Sequence, residues 1–351
     1  YDDIPVLPMK KNLMKIFLLS FISCNFSFLK SQIITHHNPV FQPDFQKPSS
    51  GGSFTDPKFN SIVKRITNAR DQGFAGLFPD YSKRQAWNAD ESLLMLRAGG
   101  GEVVIYDAVN YQFIKTLPSG FTGIQDIFWH PSDPQIIYFF SDNTFNSINI
   151  NTEQTTLIKN FNNYIYVTTR AEGNLSNNGN FVALIGYDSN WNAQDFFVYD
   201  IISDSVVGTL NVAGTNAENL DWLSISPLGN YVIADYADEV TAPFHGVEVY
   251  DKQFNIVWQK PLGAGHSDYG VDTNGKEMLI MDFYDANTNF TYIKKIYLET
   301  GSETNLLALS ALFDMHESCR SINRPGWVYI STFDYVGRLT DDSLSWLPFE
   351  D

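Results

Sequence analysis

Cysteine is nearly absent from this chain: Cys24 and Cys319 are all that 351 residues contain. Cys24 lies in an N-terminal apolar segment whose removal leaves Cys319 alone. A lone thiol makes no internal disulfide, so packing has to hold the fold, and Cys319 is expected to be a small buried hydrophobe. Basic residues are scarce too, 23 against 40 acidic ones. A general nucleic-acid partner is thereby excluded, because counterion release from phosphates needs a basic face. Helical periodicity is almost missing. Residues 60–71 could put Ile62, Val63 and Ile66 on one helical face, and the same stretch could supply a closing strand. No glycine-rich phosphate loop leads from a strand into a helix, and no Gly-x-Ser-x-Gly nucleophile turn occurs.

The N-terminus has the build of a secretory signal: Lys10, Lys11 and Lys15 precede an apolar run from residue 16 to 24, followed by Phe26, Phe28 and Leu29. Cleavage is expected just before Gln32. A membrane anchor is the competing reading, but the run is short of the ~20 residues a spanning helix needs and Asn25 interrupts it. Cys24 offers lipid anchoring as a further alternative, against which Phe21 is a poor residue at the recognition position. Cleavage leaves 19 basic against 38 acidic residues, a net of −19. The expected location is secreted, periplasmic or cell-surface, as a monomer with no membrane-spanning segment after cleavage. Tyr1 through Pro8 precede the first methionine and are expected to be read-through from upstream; residues 1–31 are excluded from the fold. Residues 32–57, rich in Pro, Ser and Gly between 42 and 57, are expected to form a disordered lead-in.

What the chain does have is repetition. Five times an apolar alternating strand closes on an acidic or amide turn, at Tyr106-Asp107, Ile150-Asn151, Tyr199-Asp200, Tyr250-Asp251 and Leu298-Glu299, at intervals of 44, 49, 51 and 48 residues. A second marker, a tight turn, follows the first strand of each unit: 87–90, 129–133, 175–179, 225–229 and 271–275. These turns use Asn, Asp, Pro and Gly, and strands are expected after them at 92–96, 135–140, 181–185, 231–235 and 276–281. The period fits one four-stranded antiparallel sheet per unit, the blade of a β-propeller. Blades are expected at 81–117, 124–161, 167–212, 220–262 and 266–309, with a sixth beginning at His316. The domain is expected to span 58–351 as an all-β propeller, with about six blades visible, a seventh expected in an intact protein, and the C-terminus expected to be truncated.

In such a ring the innermost strand precedes the tight turn, so polar residues just before the turns converge on the central channel. They are Arg84, Gln85, Asp126, Glu172, Asn174, Asp221, His266, Asp268, His316, Ser318 and Arg320. A concavity gathering Arg, His and carboxylates suits a charged small molecule or a saccharide. The stretch from Gly263 to Tyr269 carries most weight: glycines allow close backbone approach, and His266 two residues from Asp268 could be a base or a metal ligand. The second is 316–327, where Arg320 and Arg324 flank His316 and could grip a carboxylate bidentately. Channel solvation is the plain alternative for any one of these residues, and Arg320 could instead bridge blades. Two segments that imitate calcium loops, from Asp188 to Asn192 and from Asp285 to Asn289, are expected to be hairpin loops, since the second lacks the required Gly and has Ile296 where a bidentate Glu belongs. His130 beside Pro131 reads as structural, and His36 and His37 lie in the lead-in.

Across roughly 81–333, the segment from Tyr81 to Asp90, the Gly265-His266 blade start and the stretch 316–327 resemble TolB/WD40-like propellers. Within these they are distantly similar to secreted propeller polysaccharide lyases acting on oligogalacturonate or ulvan. The resemblance implies His266 as base or metal ligand with Asp268, Arg320 or Arg84 neutralising a uronate, His316 assisting, and one divalent metal ion as a possible cofactor. Gln85, Asp268, Arg324 and Glu172 would join Arg84 in contacting substrate. Two functions follow from different classes. One is noncatalytic binding of an extracellular glycan or surface protein at the channel face; the alternative is an extracellular lyase cleaving an acidic glycan by β-elimination, against which the net negative charge stands.

Overall fold

The computed structural model describes residues 46–57, 60–236, 243–244, 246–309, 313–319, 325–334 and 345–348. The signal segment, Arg320 and Arg324 lie outside the described residues. An antiparallel hairpin, β1 (Ser53–Thr55) with β2 (Ile62–Lys64), comes first. Its first strand falls in the expected lead-in. Its second replaces the helical turn considered for 60–71: Ile62 and Val63 are exposed, and a 3-10 turn at Ala69–Gln72 follows. No α-helix occurs among the described residues.

Five four-stranded antiparallel sheets come next, each running in chain order from strand to adjacent strand. Blade one is β3 (Leu77–Phe78), β4 (Leu93–Ala98), β5 (Val103–Asp107) and β6 (Phe113–Thr116). Blade two is β7 (Ile127–Trp129), β8 (Ile136–Ser141), β9 (Thr144–Asn149) and β10 (Thr155–Asn160). Blade three is β11 (Tyr166–Thr168), β12 (Phe181–Tyr187), β13 (Ala193–Asp200) and β14 (Ser205–Asn211). Blade four is β15 (Leu220–Ile225), β16 (Tyr231–Tyr236), β17 (Val247–Asp251) and β18 (Ile256–Lys260). Blade five is β19 (Asp268–Val271), β20 (Glu277–Asp285), β21 (Phe290–Tyr297) and β22 (Glu303–Leu309). A three-stranded sheet of β23 (Phe313–Ser318), β24 (Trp327–Asp334) and β25 (Ser345–Pro348) completes the described chain. The fold is an all-β propeller, as the repeat spacing requires.

The second strand of each blade carries buried apolar side chains on both faces, and alternation sends each face to a different neighbour. In β12, Val182 and Leu184 pack with Phe128, Phe140 and Phe145 of blade two, while Ala183 and Ile185 pack with Leu223, Ile225 and Val232 of blade four. In β20, Leu279 and Met281 join the blade-four side, whereas Met278 and Ile280 join Met315 and Val328 of the last sheet. Blades two to five are therefore each sandwiched between two neighbours. At roughly 25 cal/mol per Å² of apolar surface removed from water, these clusters are the main source of stability.

Turn chemistry explains why the repeat is legible. The Oδ1 atoms of Asp107, Asn149, Asp200 and Asp251 each accept two backbone amides of their turn, from Val109 and Asn110, Asn151 and Thr152, Ile202 and Ser203, and Gln253 and Asn255. In the second unit the capping residue is thus Asn149 rather than Asn151. His130 Nδ1 accepts the amides of Ser132 and Asp133, which confirms its structural role. Burial lowers its pKa, consistent with an unprotonated acceptor nitrogen.

On the inner side, Asp126 knots three blades. It accepts from Arg84 Nη2 at 2.9 Å, Thr168 Oγ1 at 2.6 Å, the Thr169 amide at 3.0 Å and the Thr169 hydroxyl. Arg84 also donates to the carbonyls of Gln125 and Gly173 and lies over Phe128. Asp126→Ala removes the shorter of the two carboxylate pairings of the buried Arg84 guanidinium, along with the acceptor for Thr168 and Thr169, and is expected to cost about 3 kcal/mol in urea unfolding. Glu153→Ala, which breaks the solvent-exposed Lys115–Glu153 pair between outer strands, is expected to cost under about 1 kcal/mol.

Candidate functional site

Sequence-distant side chains meet where the inner strands converge. His266 sits in the connector from β18 into β19, and His316 is central in β23; their imidazoles stack with centroids 4.0 Å apart and planes 11° from parallel. The Tyr81 ring, from the connection between β3 and β4 of blade one, stands edge-on to both, 5.6 Å from His316 and 6.5 Å from His266. Lys83 reaches across the hub, with Nζ 2.8 Å from Glu172 Oε2 of blade three and 4.1 Å from the Trp222 ring centroid of blade four. The Asn174 amide fixes the Lys83 carbonyl at 2.9 Å, and the indole of Trp222 donates to the carbonyl beside His266, that of Gly265, at 3.2 Å.

Charge in this group is mostly negative. Burial pushes the Tyr81 phenol far above its usual range, and the charges of Glu172, Asp221 and Glu317 push the same way, so it stays a proton donor near the Glu172 carboxylate. The Asp221 carboxyl is raised by desolvation and by Glu172, against the pull of Lys83, His266 and Arg170. Glu317 is wholly buried and, among the described residues, neither carboxyl oxygen has a hydrogen-bond partner. Burial, then the charges of Asp282 and Asp268, hold it well above the ordinary carboxylate range, with Lys83 acting in the opposite sense.

Of the residues singled out from sequence, His266, His316 and Glu172 are brought together. Arg84 is not part of the group: it is spent on Asp126, Asp80 and backbone carbonyls. Gln85 is exposed and its Oε1 accepts the amide of Trp87 within its own turn. Asp268 is fully buried, with Oδ2 accepting the Cys319 amide at 2.8 Å and Oδ1 that of Tyr269, so its lone pairs tie β19 to the end of β23. Cys319 is buried as expected. Arg320 and Arg324 fall outside the described residues. Among the described residues no group of three or more His, Cys, Asp or Glu is arranged to hold a metal, so the His266–Asp268 pair does not fit that role alone.

Tyr81, Lys83 and Glu317 were not expected. Glu317 carried a signal: it shares its strand face with Met315 and Cys319, both buried, so a carboxyl stands at a core position. A cavity of about 390 Å³ lies elsewhere, between the N-terminal hairpin region and the edge of blade one, lined by Ile66, Gln72, Tyr106 and Phe113. It gathers no imidazole and is not the convergence point.

No protein-family model matches the chain. Among curated proteins, a manganese superoxide dismutase of Mycobacterium szulgai is 28% identical over 99 residues, which is 28% of this chain and 71% of that protein; so partial a match assigns no family. Among solved structures, an oligogalacturonate lyase in complex with manganese aligns with a TM-score of 0.55 at 13% identity, covering 80% of each chain. An oligogalacturonate lyase from Vibrio parahaemolyticus aligns at 0.56 and 11%, covering 84% of this chain and 83% of that one. A chain of the mitotic checkpoint complex aligns at 0.52 and 13%, covering 85% and 84%. At such identities the likeness is one of fold, and it is the β-propeller architecture that oligogalacturonate lyases also have.

Proposed function

We propose that this is a secreted propeller that binds a glycan at its hub, through Tyr81, Glu172, Asp221, His266 and His316. The observation that carries the reading is the convergence of these polar side chains from separate blades around two stacked imidazoles. Carboxylates, imidazoles and a phenol that keeps its proton offer both acceptors and donors to sugar hydroxyls. Of the described cations about the hub, Lys83 and Arg84 are already engaged by carboxylates, and Arg170 acts on Asp221. The formal net charge of −17 adds to this, so an uncharged glycan meets less repulsion than a polyanion.

A second reading is supported by the imidazole pair and by the lyase propellers of like fold: β-elimination on a uronate glycan. An imidazole would take the proton α to the carboxylate, the bond to the departing sugar oxygen would break, and the Tyr81 phenol would protonate that oxygen. No step is routed through a metal, because the described residues do not form a site for one.

Calorimetric titration with oligosaccharides separates the readings. The purified protein is expected to bind a neutral oligosaccharide without changing it, and His266→Ala and Tyr81→Phe to weaken binding about tenfold, worth ~1.4 kcal/mol. Rising ultraviolet absorbance from unsaturated products on oligogalacturonate, lost in His266→Ala, would transfer the assignment to the lyase. Absence of binding to every glycan would remove the first reading.

Glu317 gives a pH test. The native state keeps its proton where the unfolded chain loses it, so stability falls as pH rises through the ordinary Glu range near ~4.3 toward the elevated native value. Glu317→Gln removes that slope. Its thermal midpoint is expected to match wild type in mild acid and exceed it at neutral pH; an equal deficit at both would show that the carboxyl is ionised and stabilising.

A further inference from the structure

We infer that Trp191, backed by Tyr166 and Tyr187, is a second saccharide subsite, a stacking platform that continues the hub site toward the rim. The inference rests on the glycan reading and names how a longer chain is held. Trp191 is 63% exposed, yet its ring packs on Tyr166 at 5.3 Å and Tyr187 at 6.4 Å between centroids, and Tyr166 and Tyr187 are themselves 6.1 Å apart. An exposed indole fixed on two phenols presents one rigid apolar face. Its loop is fixed as well: Asp188 Oδ1 accepts the amides of Asn190 and Asn192 at 2.8 and 3.0 Å, the Asp188 carbonyl accepts that of Trp191, and Trp191 has φ +62°, where non-glycine residues seldom sit.

Topology puts this platform on the hub's own side. In an antiparallel blade the end of the second strand and the start of the first lie on one face of the ring. Trp191 belongs to the β12–β13 hairpin of blade three, and His266 to the connector entering β19 of blade five. Arg170 joins the two: Nη1 donates to the Tyr187 hydroxyl at 3.3 Å, and its charge acts on Asp221 at the hub.

The chemistry selects a pyranose. Its axial C–H face suits the bare indole, while its hydroxyl edge meets the Asp188 carboxylate and the Arg170 guanidinium. The three rings touch each other, leaving no space between them to cage a quaternary ammonium ion. The acidic chain disfavours stacked nucleobases on a phosphate backbone.

The test is calorimetry with cellobiose and with longer cello- and xylo-oligosaccharides, on wild type, Trp191→Ala, Trp191→Phe and His266→Ala. Wild type is expected to bind the longer chains more tightly. Trp191→Ala is expected to lose about tenfold on these alone, with Trp191→Phe retaining most of the affinity and losing the fluorescence change that binding produces in wild type. Equal affinities for Trp191→Ala and wild type at every length would overturn the platform while leaving the hub intact. Loss of binding in Trp191→Ala but not in His266→Ala would support the platform and remove the hub. Failure of wild type to bind any of these sugars, or binding of tetramethylammonium instead, would overturn the inference.

Discussion

The second strand of each four-stranded blade carries buried apolar side chains on both faces, and that requirement governs the rest of the structure. A sheet with one apolar face can end in solvent; one with two must be covered twice. Blade three shows the consequence residue by residue, with Val182 and Leu184 committed to one neighbour and Ala183 and Ile185 to the other. Twisted sheets stacked face to face in succession turn around an axis, so the innermost strands crowd together whatever side chains they carry. The hub group arises from this geometry. Tyr81 and His316 are far apart in sequence and touch because the sheets between them have gone round the ring.

Crowding at the hub imposes its own electrostatics. Buried charge is tolerated where a partner is supplied, as with Arg84 on Asp126 and Lys83 on Glu172. Where no hydrogen-bond partner stands among the described residues, as at Glu317, burial raises the pKa and favours the neutral form. The same inner strands thus divide into structural polar groups that knot blades together and groups that remain oriented toward one another in the half-exposed centre. Residue type does not distinguish them. Arg84 and Lys83 are near neighbours in sequence and both ion-paired, but one ties blade one to blade two and the other spans the hub to blades three and four.

This division also marks what the sequence made readable. Strand positions and turns follow from local chemistry: an Asp or Asn at a strand end accepts its own turn's amides, so a marker in the chain coincides with a marker in the fold. His266 and His316 were legible as hub residues because register relative to the tight turn fixes depth in the blade. Partnership was not legible, because it depends on which blades face each other across the axis. Arg84, Gln85 and Asp268 look like ligand-binding residues until Asp126, the Trp87 amide and the Cys319 amide are seen to occupy them. Lys83 has no local signal in the sequence for its place, which is set by Glu172 and Trp222 closing over it.

The central claim, that chain-distant inner strands meet and couple at one hub, is tested most directly by a double-mutant cycle on unfolding free energy between Lys83 and Glu172, using Lys83→Met and Glu172→Gln. A half-buried pair 2.8 Å apart is expected to show a coupling on the order of 1–3 kcal/mol. Additive single effects would mean that blades one and three do not meet there, and would contradict both the ring and the site built on it.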